Sequence, residues 1–375
     1  MASSPTLQFT VRRKPAVLVA PAGPTPRELK PLSDIDDQDG LRFHVPVIYF
    51  FRRHGGRDDD PAPVLRNAIA TALVNYYPLA GRLRELEGRK LAVHCTGEGV
   101  LFVEADADVH LDQFGASLLP PFPCLDELLF DVPGSSDILH APLIHFQVTR
   151  LACRGFIMAL KIQHTVADGP GMVQFLAAVA ELARGMAAPT VRPVWGHDLL
   201  MTTRDDPAPP RVFTHREYDD VPDSNDTSVP LYSMTQDSFG RREVAAIRTH
   251  LPPALRRRAT TFEVLTGCLW RCRTMALAPV ADEEMWMICL VSIRGQKQQS
   301  SGTPFIPVGY YGNAFAFPVA ISTAGDLCTN PVSYAVELMM KTKREVDVEY
   351  VRSVARLMVR RGRPNFTMVS AYVMG

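Results

Sequence analysis

The stretch GFIMALKIQHTVADGPGMVQFLAAVAELARGM, residues 155–186, joins two apolar runs through one polar turn. The first run, GFIMALKI, is short and continuous, which reads as a buried strand. Beyond Gly169-Pro170-Gly171, the residues Met172, Val173, Phe175, Leu176, Val179, Ala180 and Leu182 form a broad apolar face at helical spacing. His164 therefore ends a strand, and the Gly-Pro-Gly turn leads into a helix. Gly169 and Gly171 suit a tight turn and a close backbone approach.

The turn holds a His-x-x-x-Asp pair, His164 and Asp168. Spacing alone does not decide its meaning, because His54/Asp58 in HGGRD and His215/Asp219 in HREYD repeat it. HGGRD sits in the charged turn RRHGGRDDD and reads as a solvated loop. HREYD sits in a Pro- and Asp-rich stretch without an apolar frame. A general base needs a fixed position within hydrogen-bond reach of the proton it removes. Of the three, His164 alone is framed by a strand and a helix, the usual support for a binding group. A plain structural reading stays open beside this one, with His164 a satisfied core histidine and Asp168 a helix N-cap. A metal pair is disfavoured: shared i,i+4 ligation needs a helix, Pro170 makes this a strand-to-helix turn, and no third ligand cluster is evident.

Outward from this stretch, residues 142–166 predict a hairpin turning near 153–155. FHVPVIYFF (43–51) predicts a buried strand, and residues 63–83 predict a helix stopped by Pro78. KLAVHCTGEGVLFVEADA (90–107) predicts a second hairpin, turning at Gly97 and Gly99. Residues 187–230 are rich in Pro and Asp and read as a linker. Past it, 239–252 and 260–276 predict helices, 285–295 and 312–322 strands, 331–362 a long helical region, and NFTMVSAYVMG a last strand. Strands and helices mix without βαβ alternation, so a simple Rossmann or barrel chain is excluded.

Lys+Arg and Asp+Glu balance at 40 each in the 375 residues, which argues against nucleic acid and an anionic membrane surface as partners. Arg256–Arg258 reads as a solvated face. No uncharged run approaches a membrane span, and MASSPTLQFTVRRK lacks a signal-peptide core. Seven scattered cysteines with no C-x-x-C suggest reduced thiols in a cytoplasmic protein.

Several motifs in order resemble the plant BAHD acyl-CoA-dependent acyltransferases: NYYPLAGRLR (75–84), residues 142–171 with HTVADG, TTFEVLTGCLWRCRT (260–274), VSIRG (291–295) and GYYGNAFAFP (309–318). The N-terminal run from Phe9 to Phe51 resembles the alcohol acyltransferases using benzoyl-CoA or anthraniloyl-CoA. The resemblance implies a two-domain α/β fold of the chloramphenicol-acetyltransferase type, with mixed sheets and helices and an active-site channel between domains. The expected domains are 1–190, carrying HTVADG, and 221–375, joined by a crossover linker at 191–220. It further implies a cytoplasmic monomer that moves an acyl group, aromatic such as benzoyl or anthraniloyl, from acyl-CoA to an alcohol or amine, with no tightly bound cofactor and no metal. His164 would be the general base. Asp168 would pair with Arg294 of VSIRG and hold the loop, with Gly169 and Gly171 in support. Asn313 of YYGN and Thr260 or Thr261 of TTFE would lie near the CoA channel. For the threonines, Thr260-x-x-Glu263 also has capping-box spacing. The family carries an Asp-Phe-Gly-Trp-Gly motif, and this chain stops at SAYVMG before it. A catalytically impaired, truncated member with weak or no CoA binding is the alternative. Peptide-synthetase condensation domains show two adjacent histidines before x-x-x-Asp-Gly; Gln163 stands at the first position here.

Overall fold

The computed structural model describes residues 7–52, 59–115, 118, 124–129, 131, 137–203, 211–219, 239–297 and 302–364. HGGRD and the expected strand NFTMVSAYVMG lie outside them. The chain divides into two compact units, Met1–Met201 with Pro307–Asn313, and Thr202–Ile306 with Ala314–Gly375.

The first unit contains β1 (Val11–Arg13), β2 (Val17–Val19), β3 (Leu29–Pro31), β4 (His44–Phe51), α1 (Pro61–Asn75), β5 (Arg82–Glu85), β6 (Leu91–His94), β7 (Val100–Ala107), α2 (Leu125–Leu128), β8 (Ile144–Leu151), β9 (Phe156–Gln163) and α3 (Gly169–Ala183). Its main sheet runs β1-β7-β8-β9-β4, with β2 also on β7. The hairpin expected over 142–166 is β8–β9, antiparallel from Ile144↔Ile162 to Arg150↔Phe156, with Arg154 at φ 62° in its turn. β4 lies antiparallel to β9 over its whole length, and Phe51 stacks on Phe156 with ring centroids 4.5 Å apart.

α1 and α3 cover one face of this sheet, burying Ile69, Leu73, Met172, Phe175, Leu176 and Val179 with Phe146, Leu160 and Ile162. Burying each such side chain is worth about 1.5–3 kcal/mol, which holds both helices on the sheet. Val173, expected on the apolar face, is 54 % exposed, because one residue rotates 100° from Met172 away from the sheet.

The hairpin expected over 90–107 does not form. β6 pairs with β5 and β3 in a separate sheet, whereas β7 runs parallel to β8 and antiparallel to β2. The two glycines do not close a turn between these strands. Gly99, at φ +100°, crosses so close to β2 that a Cβ there would lie 2.2 Å from the Val19 carbonyl oxygen.

The second unit contains α4 (Arg241–Thr249), α5 (Pro253–Arg258), α6 (Thr261–Leu277), β10 (Glu284–Ile288), β11 (Val291–Ser292), β12 (Phe315–Ala316), β13 (Val319–Thr323), α7 (Ala324–Thr329), α8 (Val332–Glu345) and α9 (Val348–Arg361). Each expected strand here is split in two. Pro318 has no N–H and separates β12 from β13, which pair with β11 and β10 respectively. The long helical region breaks at Val346-Asp347, where Asp347 Oδ1 accepts from Tyr350 N–H at 2.8 Å and caps α9. Trp270, Met285, Met287, Ala335 and Met339 form this unit's core.

Candidate active site

β9 delivers His164, and the loop is tied on both sides. Gln163 N–H donates to the Leu143 carbonyl and His164 N–H to the Phe43 carbonyl, each at 2.9 Å. His164–Val166 then forms one 3-10 turn, with Val166 and Ala167 in the core. Asp168 is the N-cap of α3, its Oδ1 accepting from Gly171 N–H at 2.8 Å. Pro170 falls in the first turn, where its missing N–H costs nothing. The close approach expected at both glycines is found at Gly171, where a Cβ would lie 1.9 Å from the Tyr311 carbonyl oxygen; Gly169 faces open space.

That Tyr311 belongs to a short segment of the first unit that sequence places far away. Gln174 Nε2 and Val194 N–H both donate to the Gly309 carbonyl at 2.8 Å. Tyr311 is buried, its ring 5.2 Å from Tyr76 and 5.9 Å from Trp195. Asn313 follows, with no exposed surface. Its Nδ2 donates to the His164 carbonyl at 2.8 Å and to Asp36 Oδ1 at 2.8 Å, and its backbone N–H donates to the same Oδ1 at 2.7 Å.

Asp36 was not singled out by sequence. Its carboxylate is fully buried, accepts from Ser33 Oγ, and lies 2.7 Å from His197 Nδ1. Ser33 N–H is 3.3 Å from the same Nδ1. One ring nitrogen does not serve both, and the shorter contact to a carboxylate puts the hydrogen on Nδ1, donating to Asp36. Burial pushes the Asp36 carboxyl up, but His197, Ser33 and Asn313 outweigh it and hold the group below its ordinary value. The one local signal was an acidic run, SDIDDQD, preceded by Leu32 and holding Ile35, both fully buried.

Burial sets the His164 imidazole below its ordinary value; its own backbone, Asp168, Asn313 and Asp36 oppose this without cancelling it. The ring meets Phe43 edge-on at a centroid distance of 5.3 Å. The neutral imidazole therefore dominates at pH 7, the form that accepts a proton. Among the described residues, neither amide atom of the buried Gln163 side chain has a hydrogen-bond partner.

In the second unit, Thr260 caps α6: its Oγ1 accepts from Glu263 N–H at 3.3 Å, while Glu263 Oε2 accepts from Thr260 N–H at 2.7 Å. Thr261, the first residue of α6, is exposed. Arg294 is half-buried just after β11, its N–H bonded to Ser292 Oγ at 3.2 Å. The reading of HREYD as a frameless stretch is overturned. His215 is buried, with Nδ1 3.0 Å from Glu217 Oε1 and Nε2 2.8 Å from Ser353 Oγ, and Tyr350 O–H donates to that Oε1 at 2.6 Å. The frame comes from α9, 130 or more residues away in sequence. A cavity of about 380 Å³ beside it is lined by Arg211, Phe213, His215, Glu217, Thr342 and Tyr350 among others, and includes none of the expected site residues. Among the described residues no three His, Cys, Asp or Glu are grouped as metal ligands, and no helix is long and apolar enough to cross a membrane.

A family model described as "Transferase family" matches residues 8–372, almost the whole chain. The chain belongs to this family, the BAHD acyltransferases. The acyltransferase is 55 % identical to a protein named benzyl alcohol O-benzoyltransferase of Petunia hybrida, over 99 % of this chain and 79 % of that one. A (Z)-3-hexen-1-ol acetyltransferase of Arabidopsis thaliana is 52 % identical over 98 % of this chain and 80 % of its own. Among solved structures, vinorine synthase matches with a TM-score of 0.65 at 19 % identity, covering 93 % of the acyltransferase and 80 % of itself. F. graminearum TRI101, solved with Coenzyme A and deoxynivalenol, matches at 0.58 with 13 % identity, covering 90 % and 79 %. These likenesses agree with the chloramphenicol-acetyltransferase-type fold expected for the acyltransferase.

Proposed function

We propose that this chain transfers an acyl group from acyl-CoA to an alcohol by direct attack, with His164 as general base. The observation that carries the reading is a half-buried, neutral imidazole on a main chain fixed by hydrogen bonds to Phe43 and from Asn313. The imidazole takes the hydroxyl proton as the oxygen attacks the thioester carbonyl carbon. The C–S bond then breaks, and the imidazolium returns its proton to the CoA thiolate. Burial pushes the Cys95 and Cys289 thiols up to about 12 and Cys268 up to about 11, so none of these three is an activated nucleophile.

Two relatives at 55 % identity named benzyl alcohol O-benzoyltransferase support an aromatic donor such as benzoyl-CoA. The acetyltransferase at 52 % widens the test to acetyl-CoA and an aliphatic alcohol. Thr260 and Thr261, exposed where α6 begins, are the candidate CoA contacts in this reading, whereas Asn313, expected beside them, is fully buried against Asp36 and the His164 carbonyl. The enzyme is taken as a cytoplasmic monomer, which fractionation and sedimentation equilibrium check.

The test is thiol release by the purified protein with benzoyl-CoA and benzyl alcohol. His164→Ala is expected to lower kcat by about 10²–10⁴-fold. Equal release by wild type and His164→Ala would sink the assignment, and no release with any acyl-CoA would favour the catalytically impaired alternative. Because burial lowers the imidazole pKa, the acid limb of kcat/KM should fall below pH 6.5. The Asp168–Arg294 ion pair implied by the resemblance belongs to the same reading. If it supports the loop, Arg294→Ala lowers melting temperature and activity together; a fully stable, inactive variant would count against it.

A further inference from the structure

Asp36 lies outside the His-x-x-x-Asp motif, and the chemistry assigned so far does not use it. We propose that Asp36 is a positioning residue that, through the Asn313 carboxamide, fixes the His164 main chain and so aims the imidazole at the acceptor hydroxyl. The inference rests on the reading of His164 as the base.

A buried carboxylate is costly unless it is fully hydrogen-bonded. Asp36 receives Ser33 Oγ locally, but its other donors come from afar: His197 Nδ1 and two N–H groups of Asn313, 277 residues away. A cap of its own turn needs only the serine. The Asn313 amino group has two hydrogens, and both are used, one on Asp36 and one on the His164 carbonyl. The negative charge of Asp36 sets that orientation. A flipped amide would aim its oxygen at the carboxylate and at the His164 carbonyl, three acceptors with no hydrogen among them.

The backbone is built for this contact. A Cβ at Gly312 would lie 2.6 Å from the Tyr310 hydroxyl and 2.9 Å from His197 Cε1, so only glycine lets this segment close on His197. His164 is then held at its N–H by Phe43 and at its carbonyl by Asn313, leaving the side-chain torsions as its freedom. Misplacing a catalytic group by about 1 Å can cost on the order of 10² in rate. The charged groups acting on His164 are Asp168, from the start of α3, and Asp36; Phe43 and Asn313 are uncharged.

The experiment uses the full chain with Asp36→Asn, read by kcat, KM for benzoyl-CoA, circular dichroism and ¹⁵N-histidine NMR titration. The His164 signal is identified by its loss in His164→Gln. The expected result is a kcat lower by about 10²-fold, KM unchanged, and a His164 titration midpoint moved down, because a charge that favours the imidazolium is gone. An unmoved His164 midpoint overturns the proposal whatever the rate does. An unchanged kcat in folded Asp36→Asn also overturns the proposal, even where the midpoint moves, because a charge acts through space without aiming the ring; the base assignment itself stands or falls with His164→Ala. Where Asp36→Asn does not fold, Asn313→Ala leaves Asp36 with His197, Ser33 and one backbone N–H; a wild-type His164 signal and kcat in that variant would overturn the proposal equally.

Discussion

Gly169 and Gly171 flank one proline and differ in what their missing Cβ allows. At Gly171 a methyl group would meet the Tyr311 carbonyl at 1.9 Å, backbone that is itself held through Gly309 and Asn313. At Gly169 there is open space. Gly171→Ala is therefore expected to cost about 1–3 kcal/mol, as overpacking does, and Gly169→Ala to stay within about 0.5 kcal/mol. Thermal melts compare the two; equal melting points would refute the close-approach argument. His164 and Asp168 were legible because a periodic strand and helix frame them on both sides. Asp36 and His197 were not, because a side chain paired across the chain leaves no local spacing to read. HREYD was misjudged for the same reason, since its burial is supplied by Tyr350 and Ser353 of α9.

At the scale of elements, local chemistry was read well where the partner is local. The Thr260-x-x-Glu263 spacing predicted a capping box, and both of its hydrogen bonds are present. Thr260→Ala should lower stability by about 0.5–2 kcal/mol, while exposed Thr261→Ala should change it by less than about 0.5 kcal/mol. Chemical denaturation measures both, and the opposite order would remove the capping role. The β8–β9 hairpin was legible from two strands and a turn. The pair β6 and β7 carried the same signal and went to different sheets. Their apolar residues are buried without alternation, so the pattern did not say which neighbour each strand takes. Splits at Pro318 and Asp347 came from a missing donor and a cap, both visible as single residues but weak against long apolar runs.

Across the molecule, acidification acts first on three imidazoles that packing shields, those of His44, His145 and His164. Burial is the leading cause that lowers His145, to about 4, and it also lowers His44 and His164. Unfolded histidines bind a proton near pH 6.5 and these folded ones resist it, so the unfolded state carries more protons in that window. Stability is thus present above pH 6.5 and lost as pH falls toward 4. For His145 the shift from 6.5 to about 4 bounds the effect at about 3 kcal/mol. The melting temperature should drop between pH 7 and 5, and His145→Gln should flatten that slope; an unaltered slope would refute the assignment. Sequence by itself determined the mixed α/β class, the family, the strand–turn–helix around His164 and the capping box of α6. Each of these depends on residues a few positions apart, whose periodicity and hydrogen bonds are set locally. Only the tertiary structure decided that Pro307–Asn313 belongs with the first unit, that β6 and β7 part company, and that Asp36 reaches His164 through Asn313. Those choices depend on which distant backbone fits against which, through contacts such as Gly171 on Tyr311, and complementarity of that kind has no period along a chain.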